Sequence, residues 1–372
     1  MRLYRDSSFL VDTCICYVYK IMLDFLEGRK ALLLIAVARD IAPTKANGGS
    51  SHAGDGHGAS PSLKSSREAD TVKVKFFGYE MEADGPCLKT DLRESNDILH
   101  DGAKLRERMQ NDGYLLIRRL RDPQLVLAAR RQILETMQAQ GLLMPGADLM
   151  EGIIDPDALR GTTTGVRANE QYRQLSAVQA VFADKSIGNF FATLLGGPSD
   201  SLDFQWMRVA GSGAESPIHS DIVFMGRGTQ NLYTCWTPFG DITLDMGPIV
   251  LCLGTEKIEE LKNTYWASDV DRDLIEGYFS KDPMEMVTRF GGTWATTEFH
   301  PGDVLIFGMH ILHASLANLS NRYRMSADTR YQLASEPFDE RWKGFPLKKH
   351  YAFWDPASKL EPASQSRKRW GI

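Results

Sequence analysis

The hydrophobic positions of this chain change their period part-way along it. Val72, Val74 and Phe76 alternate with lysines, which predicts a strand. A charged helix is expected over Asp101–Asn111, stopped by Asp112-Gly113, with a short apolar strand at Tyr114–Ile117. Asp122 reads as an N-cap with Pro123 at the first helical position. That helix carries Val126, Ala129, Ile133, Leu134 and Met137 at helical spacing and ends near Gly141. Gly161 to Gly197 is predicted mainly helical, with Val178, Val181, Ile187, Phe190, Phe191 and Leu194 as its apolar stripe. Beyond Pro198 the runs shorten and become β-branched and aromatic. They cover Leu202–Val209, Ile218–Phe224, Leu232–Pro238, Ile249–Leu253, Thr293–Phe299, Asp303–Phe307 and Arg324–Gln332, broken by a helical insert at Lys257–Phe279. Strands at such spacing suggest an antiparallel sandwich or barrel. The class is therefore α+β with a mainly β core and flanking helices.

Composition divides the chain further. Residues 1–42 read as an N-terminal helical extension, 43–70 as a flexible Gly/Ser-rich linker, and 71–372 as the main domain, its β core at about 200–335. His52 and His57 fall in the linker and are not counted as metal ligands. With 43% hydrophobic and 24% charged residues, the 372-residue chain has the make-up of a globular protein. A net charge of −5 and the lack of a basic cluster argue against a nucleic-acid partner. The five cysteines are scattered, which fits neither a disulfide framework nor a zinc pattern. No stretch reaches the roughly 18 apolar residues of a membrane span. A cytoplasmic location is the expectation.

The candidate chemistry lies in the β half. His219 and Asp221 stand two residues apart, so on a strand both would face one side. About ninety residues later, Gly302-Asp303 makes a turn and an apolar strand leads to His310, His313 and Ser315, followed by Asn318 and Arg324. Two histidines and a carboxylate make a facial triad that leaves coordination positions open on an iron(II) ion. His310 and His313 are an odd number apart, so on a strand only one of them points inward; His313 carries the spacing to Ser315 and Arg324. Arg322 and Arg330 compete with Arg324 for the role of anion-binding cation. Arg330 lies about 20 Å further along by strand rise and reads as an ion-pair partner of Asp328 or Asp303. Gln205, Arg208 and Gln332 are polar residues on barrel strands and candidates for substrate contact.

Taken in order, these pieces resemble the phytanoyl-CoA dioxygenase family of Fe(II)/2-oxoglutarate-dependent oxygenases. Leu105 to Arg118 resembles the family's opening helix and Asp-Gly-Tyr strand, and His219-Ser220-Asp221 occupies its metal motif. Tyr233 to Pro238 and Asp245 to Thr255 resemble its middle segment. Gly302 to Arg324 matches its distal block, including the eleven-residue step from His313 to Arg324. Two departures are Thr255-Glu256 and Ala314, where the family usually has Ser-His and Gly. The resemblance covers roughly residues 100–345.

It implies a double-stranded β-helix (a cupin-like jelly roll) with flanking helices. It also implies that His219, Asp221 and His313 ligate Fe(II), with no catalytic residue beyond the metal site. Arg324 and Ser315 would hold the distal carboxylate of 2-oxoglutarate, and Trp236 would line that pocket. The implied cosubstrates are 2-oxoglutarate and O₂, with ascorbate as a candidate reductant and a small organic molecule as substrate. The expected activity is hydroxylation or another oxidation, coupled to decarboxylation of 2-oxoglutarate to succinate and CO₂. Asp221 favours this over halogenation, because related halogenating enzymes lack that carboxylate. The rival readings are a non-catalytic jelly-roll binding or regulatory protein and a cupin-like metal isomerase or hydrolase.

Overall fold

Eight strands wind between two sheets, alternating except at one step. In the computed structural model, which describes residues 72–158, 167, 168, 170–353 and 355–372, they are β7 (Trp206–Ala210), β8 (Ser216–His219), β9 (Tyr233–Pro238), β10 (Ile249–Leu253), β11 (Thr293–Ala295), β12 (Val304–Gly308), β13 (His313–Ser315) and β14 (Arg324–Leu333). Before them in the chain come the hairpin β1 (Lys73–Phe76) and β2 (Tyr79–Glu82), then β3 (Leu88–Lys89), β4 (Tyr114–Ile117), β5 (Arg167–Ala168) and β6 (Ser199–Ser201). One sheet runs β4-β12-β9-β14-β7-β5 and the other β3-β11-β10-β13-β8. Within the eight-strand core every pairing is antiparallel. This is the double-stranded β-helix. The described residues all belong to one compact unit, Thr71–Ile372; the readings for residues 1–70 and 159–166 fall outside them.

The helices before the barrel strands pack on one sheet for a reason visible in β14. Its odd positions Met325, Ala327 and Tyr331 are apolar and pack outward, whereas Arg324, Ser326, Asp328 and Arg330 alternate with them and turn inward. Helices α1 (Gly102–Asp112), α2 (Pro123–Ala139), α3 (Glu170–Arg173), α4 (Ser176–Phe182) and α5 (Lys185–Leu195) supply partners for that outer face. Val126, Ile133 and Val178 join Met325 and Ala327 in one cluster, and Ile187, Phe191 and Leu194 join Tyr331 in another. The N-caps of α1 and α2 are Asp101 and Asp122, each accepting a backbone N–H of the first turn.

Two expectations change. The strand expected over Ile218–Phe224 stops at His219: Asp221 has φ −64° and ψ −25° and caps the short helix α6 (Ile222–Met225). The insert at Lys257–Phe279 is not one helix; it contains only α7 (Glu259–Lys262) and single 3₁₀ turns before α8 (Pro283–Thr288). A last helix, α9 (Ala363–Trp370), closes the chain. Among the described residues no helix is long and apolar enough to cross a membrane.

Candidate metal centre and anion pocket

Register brings the two histidines together. In the ladder between β13 and β8, His313 and His219 are direct partners, and their ring centroids lie 4.2 Å apart. Each ring has its Nδ1 against the carbonyl two residues before it, Pro217 O at 2.8 Å and Ile311 O at 3.2 Å. Those carbonyls can only accept, so Nδ1 carries the proton and Nε2 is left as the ligand atom. Asp221 reaches the same point from the turn after β8. Ligand atoms of His219, Asp221 and His313 all lie within 4.8 Å of one another. Ligands about 2.1 Å from one ion sit about 3 Å apart when they share a face, so the three side chains must draw together to close on one ion. The donor chemistry, two imidazoles and one carboxylate, suits iron(II).

The turn holding Asp221 is fixed from several sides. The Ser220 hydroxyl donates to His310 O (2.9 Å) and accepts from Trp266 Nε1 (3.2 Å), while its N–H donates to the Tyr265 hydroxyl (3.1 Å). The Ile222 N–H donates to Met309 O at 3.1 Å. The Asp221 carboxylate accepts from the Thr234 hydroxyl and from Arg330, whose Nη2 lies 3.1 and 3.2 Å from its two oxygens. Burial alone would raise the Asp221 carboxyl, but Arg330, the two imidazoles and Thr234 hold it well below the usual carboxylate range. Burial, reinforced by His313, pushes His219 down to about 3, and burial lowers His313 as well.

Beside the triad is a small, partly open cavity. Arg208, Trp236, Ser315, Arg324 and Asp328 line it together with His219 and His313. The Ser315 hydroxyl accepts the Ser216 N–H at 2.9 Å, which leaves its own proton for an occupant. Arg324 is 3% exposed, and its Nε is buried without a hydrogen-bond partner. Such a group is costly unless something in the cavity accepts from it. Burial and nearby Arg208 push the Arg324 guanidinium down to about 10, so it stays charged at neutral pH. Its strand, β14, is in the sheet opposite β13 rather than alongside it, so Arg324 faces the histidines across the barrel.

Of the substrate candidates, only Arg208 reaches this cavity. Gln205 precedes β7 and lies an odd step from Arg208, which points it the other way; its amide contacts Asp203 O at 3.3 Å. Gln332 shares the inward parity of β14 but spends its amide on the carbonyls of Leu333, Glu336 and Pro337. His310 is not part of the cluster. It packs edge-on against Trp266, ring centroids 5.0 Å apart, and lines a separate groove with Tyr233 and Glu256. Because β12 ends at Gly308 and β13 begins at His313, a turn, not strand alternation, separates the two histidines.

Thr234 carries no signal in the sequence, and Arg330 reads there only as a rival of Arg324 or an ion-pair partner. Arg330 bonds Asp221, lies 3.9 Å from Asp328, and has no part with Asp303, whose carboxylate pairs with Arg118 at 2.7 Å. Its even spacing from Arg324 was the available signal.

A family model described as Phytanoyl-CoA dioxygenase (PhyH) matches residues 109–326, which span β4, the triad and Arg324. The chain belongs to this family. Phytanoyl-CoA dioxygenase family enzymes work with Fe(II), 2-oxoglutarate and O₂, and the chain is an enzyme of that oxygenase superfamily. Among solved structures it is similar to EctD from S. alaskensis in its apoform, at 17% identity over 80% of this chain and 96% of that one, with a TM-score of 0.46. It is also similar to two proteins of nogalamycin biosynthesis. The carbocyclase SnoK matches at 16% identity over 69% of this chain and 92% of that one, TM-score 0.46. The epimerase SnoN matches at 14% identity over 70% and 97%, TM-score 0.43.

Proposed function

We propose that the protein oxidises an unactivated C–H bond of a small organic molecule, hydroxylation being the default outcome, with decarboxylation of 2-oxoglutarate to succinate and CO₂. The observation that carries this reading is the pairing, in one cavity, of the His219–Asp221–His313 cluster with a buried arginine whose Nε lacks a partner. When bound, iron(II) with 2-oxoglutarate supplies the activation of O₂.

The chain's own residues bind and orient. His219, Asp221 and His313 would hold the metal, with Nδ1–H bonds to Pro217 O and Ile311 O keeping the Nε2 atoms available. Arg324 would hold the distal carboxylate of 2-oxoglutarate, and the free Ser315 proton would add a second donor. Trp236, 2% exposed and packed at 4.7 Å on Phe299, would wall that end of the pocket and exclude water from it. Retention of a carboxylate at Asp221 supports oxygen insertion over halide transfer.

The test is succinate release by the purified protein with Fe(II) and 2-oxoglutarate under air, alongside an anaerobic titration watching for the visible charge-transfer band of the ternary complex. A protein that binds neither Fe(II) nor 2-oxoglutarate would sink the proposal and leave the non-catalytic jelly roll standing.

A further inference from the structure

The cavity beside the triad holds more positive charge than the metal and cosubstrate would neutralise. Arg208, Arg324 and Arg330 turn inward from β7 and β14. Among the described residues the inward carboxylates are Asp221 and Asp328, so three cations face two anions and one positive charge is left over. The two histidines count as neutral, as metal ligands do. A divalent ion and doubly charged 2-oxoglutarate cancel each other, so the excess survives loading. Charge of this kind inside a protein is costly unless a counter-ion joins it.

The three arginines are not equally available. Arg330 is 2% exposed, stacked 4.0 Å over the Trp206 ring and bonded to Asp221. Arg324 lies deep, at 3% exposure. The Arg208 side chain is 27% exposed, so it is the one a molecule entering from solvent meets. It is also held in place. Nε lies 2.8 Å and Nη2 2.7 Å from the same oxygen of Asp328, which directs the guanidinium into the cavity without neutralising the surplus. Register explains the pairing: Arg208 faces Ser326 on β14, one inward step from Asp328.

We propose that Arg208 receives a carboxylate of the substrate, so that the molecule oxidised is a monoanionic organic acid. The inference rests on the oxygenase reading above. It adds the chemical class of the substrate, and a single negative charge is what the leftover charge requires. A guanidinium fork matches a carboxylate edge, and its fixed position would set which carbon of the acid faces the metal.

The test uses the protein loaded with Fe(II) and 2-oxoglutarate under anaerobic conditions. Octanoate and phenylacetate are titrated against octanamide and phenylacetamide, following the shift of the charge-transfer band. At least one acid should bind tenfold or more tighter than its amide. Replacing Arg208 alone would strand the Asp328 carboxylate, so the decisive variant is R208Q/D328N, which removes the pair as a unit. With its fold verified by a cooperative melt, the double variant should bind acid and amide within about twofold of each other. Equal binding of acid and amide by the wild type, failure of all four probes, or an acid preference that survives in R208Q/D328N would each overturn the proposal. Loss of the band before any probe is added points instead to failure of the oxygenase reading, and this inference falls with it.

Discussion

Arg330 lies against the Asp221 carboxylate, with Nη2 3.1 Å from one oxygen and 3.2 Å from the other. The guanidinium is pinned on its other side by the Trp206 ring at 4.0 Å. A ligating carboxylate held this way has one orientation, and it enters the site already charged. If Asp221 ligates the metal as proposed, Arg330 is a positioning residue that acts through it.

Replacing Arg330 by Met should keep most of the stacking volume and remove the two contacts to Asp221. Metal affinity should fall about 10- to 100-fold, the usual cost of losing a partner behind a ligand. Competition with a chelator of known affinity measures it. A merely structural role would lower the melting point and leave metal affinity of the folded protein alone. R330K, which keeps the charge but not the fork, should recover only part of the loss.

The reach of sequence reasoning ended where register begins. The β9, β10, β12 and β14 segments could be read directly, because each is a short β-branched or aromatic run bounded by turns. Spacing singles out His219, Asp221 and His313, and the structure clusters them, but strand alternation is not what joins the first pair. Asp221 shares a site with His219 because the chain leaves the strand into α6, not because it continues. Thr234 and Arg330 face each other across β9 and β14, a partnership between residues nearly a hundred positions apart. Gln205 shows the opposite failure: the strand expected from Leu202 begins only at Trp206, which leaves Gln205 just before β7. Ser220, between His219 and Asp221, is held by Tyr265 and Trp266 of the insert, contacts that no spacing in the sequence shows.

Asp271 ties the C-terminal segment to the barrel. One of its oxygens accepts the N–H groups of Tyr351, Ala352 and Phe353 at 2.9–3.1 Å, and the other meets Arg341 and His350 at 2.6 and 2.7 Å. D271N should lower unfolding free energy by about 3 kcal/mol, as expected when one partner of a buried charge network is removed. Burial alone would raise this carboxyl, but His350, the backbone N–H groups and Arg341 hold it below its ordinary value. Its contribution is therefore complete above roughly pH 4, the unfolded value, and is lost as pH falls through the lower folded value. Denaturant melts at pH 7 and pH 3 should show the gap between wild type and D271N narrowing in acid. A gap that widens would contradict this.

Gly247 is required where the turn before β10 passes the end of β13. Its φ is +68°, and a Cβ there would sit 2.3 Å from Leu316 O. G247A combines left-handed strain with overpacking, each worth about 1–2 kcal/mol or more. The backbone must move next to Ser315. The expected result is a melting point lower by roughly 5–10 °C, together with weaker 2-oxoglutarate binding in the protein that remains folded. Unchanged stability would mean the turn repacks freely.

Arg324 is the sharpest test of the anion pocket, because its Nε is already buried and lacks a partner. R324K keeps a cation at the end of a flexible stem and loses the fork. Anaerobic titration should show 2-oxoglutarate affinity reduced tenfold or more, with Fe(II) affinity close to wild type, since Arg324 has no hydrogen bond or ion pair to His219, Asp221 or His313. The guanidinium is pushed down only to about 10, so wild-type binding should be flat between pH 6.5 and 8.5. R324K should bind more weakly across that whole range. A variant that loses metal and cosubstrate together would show instead that Arg324 supports the barrel wall, and the cosubstrate anchor would then have to be sought at Arg208.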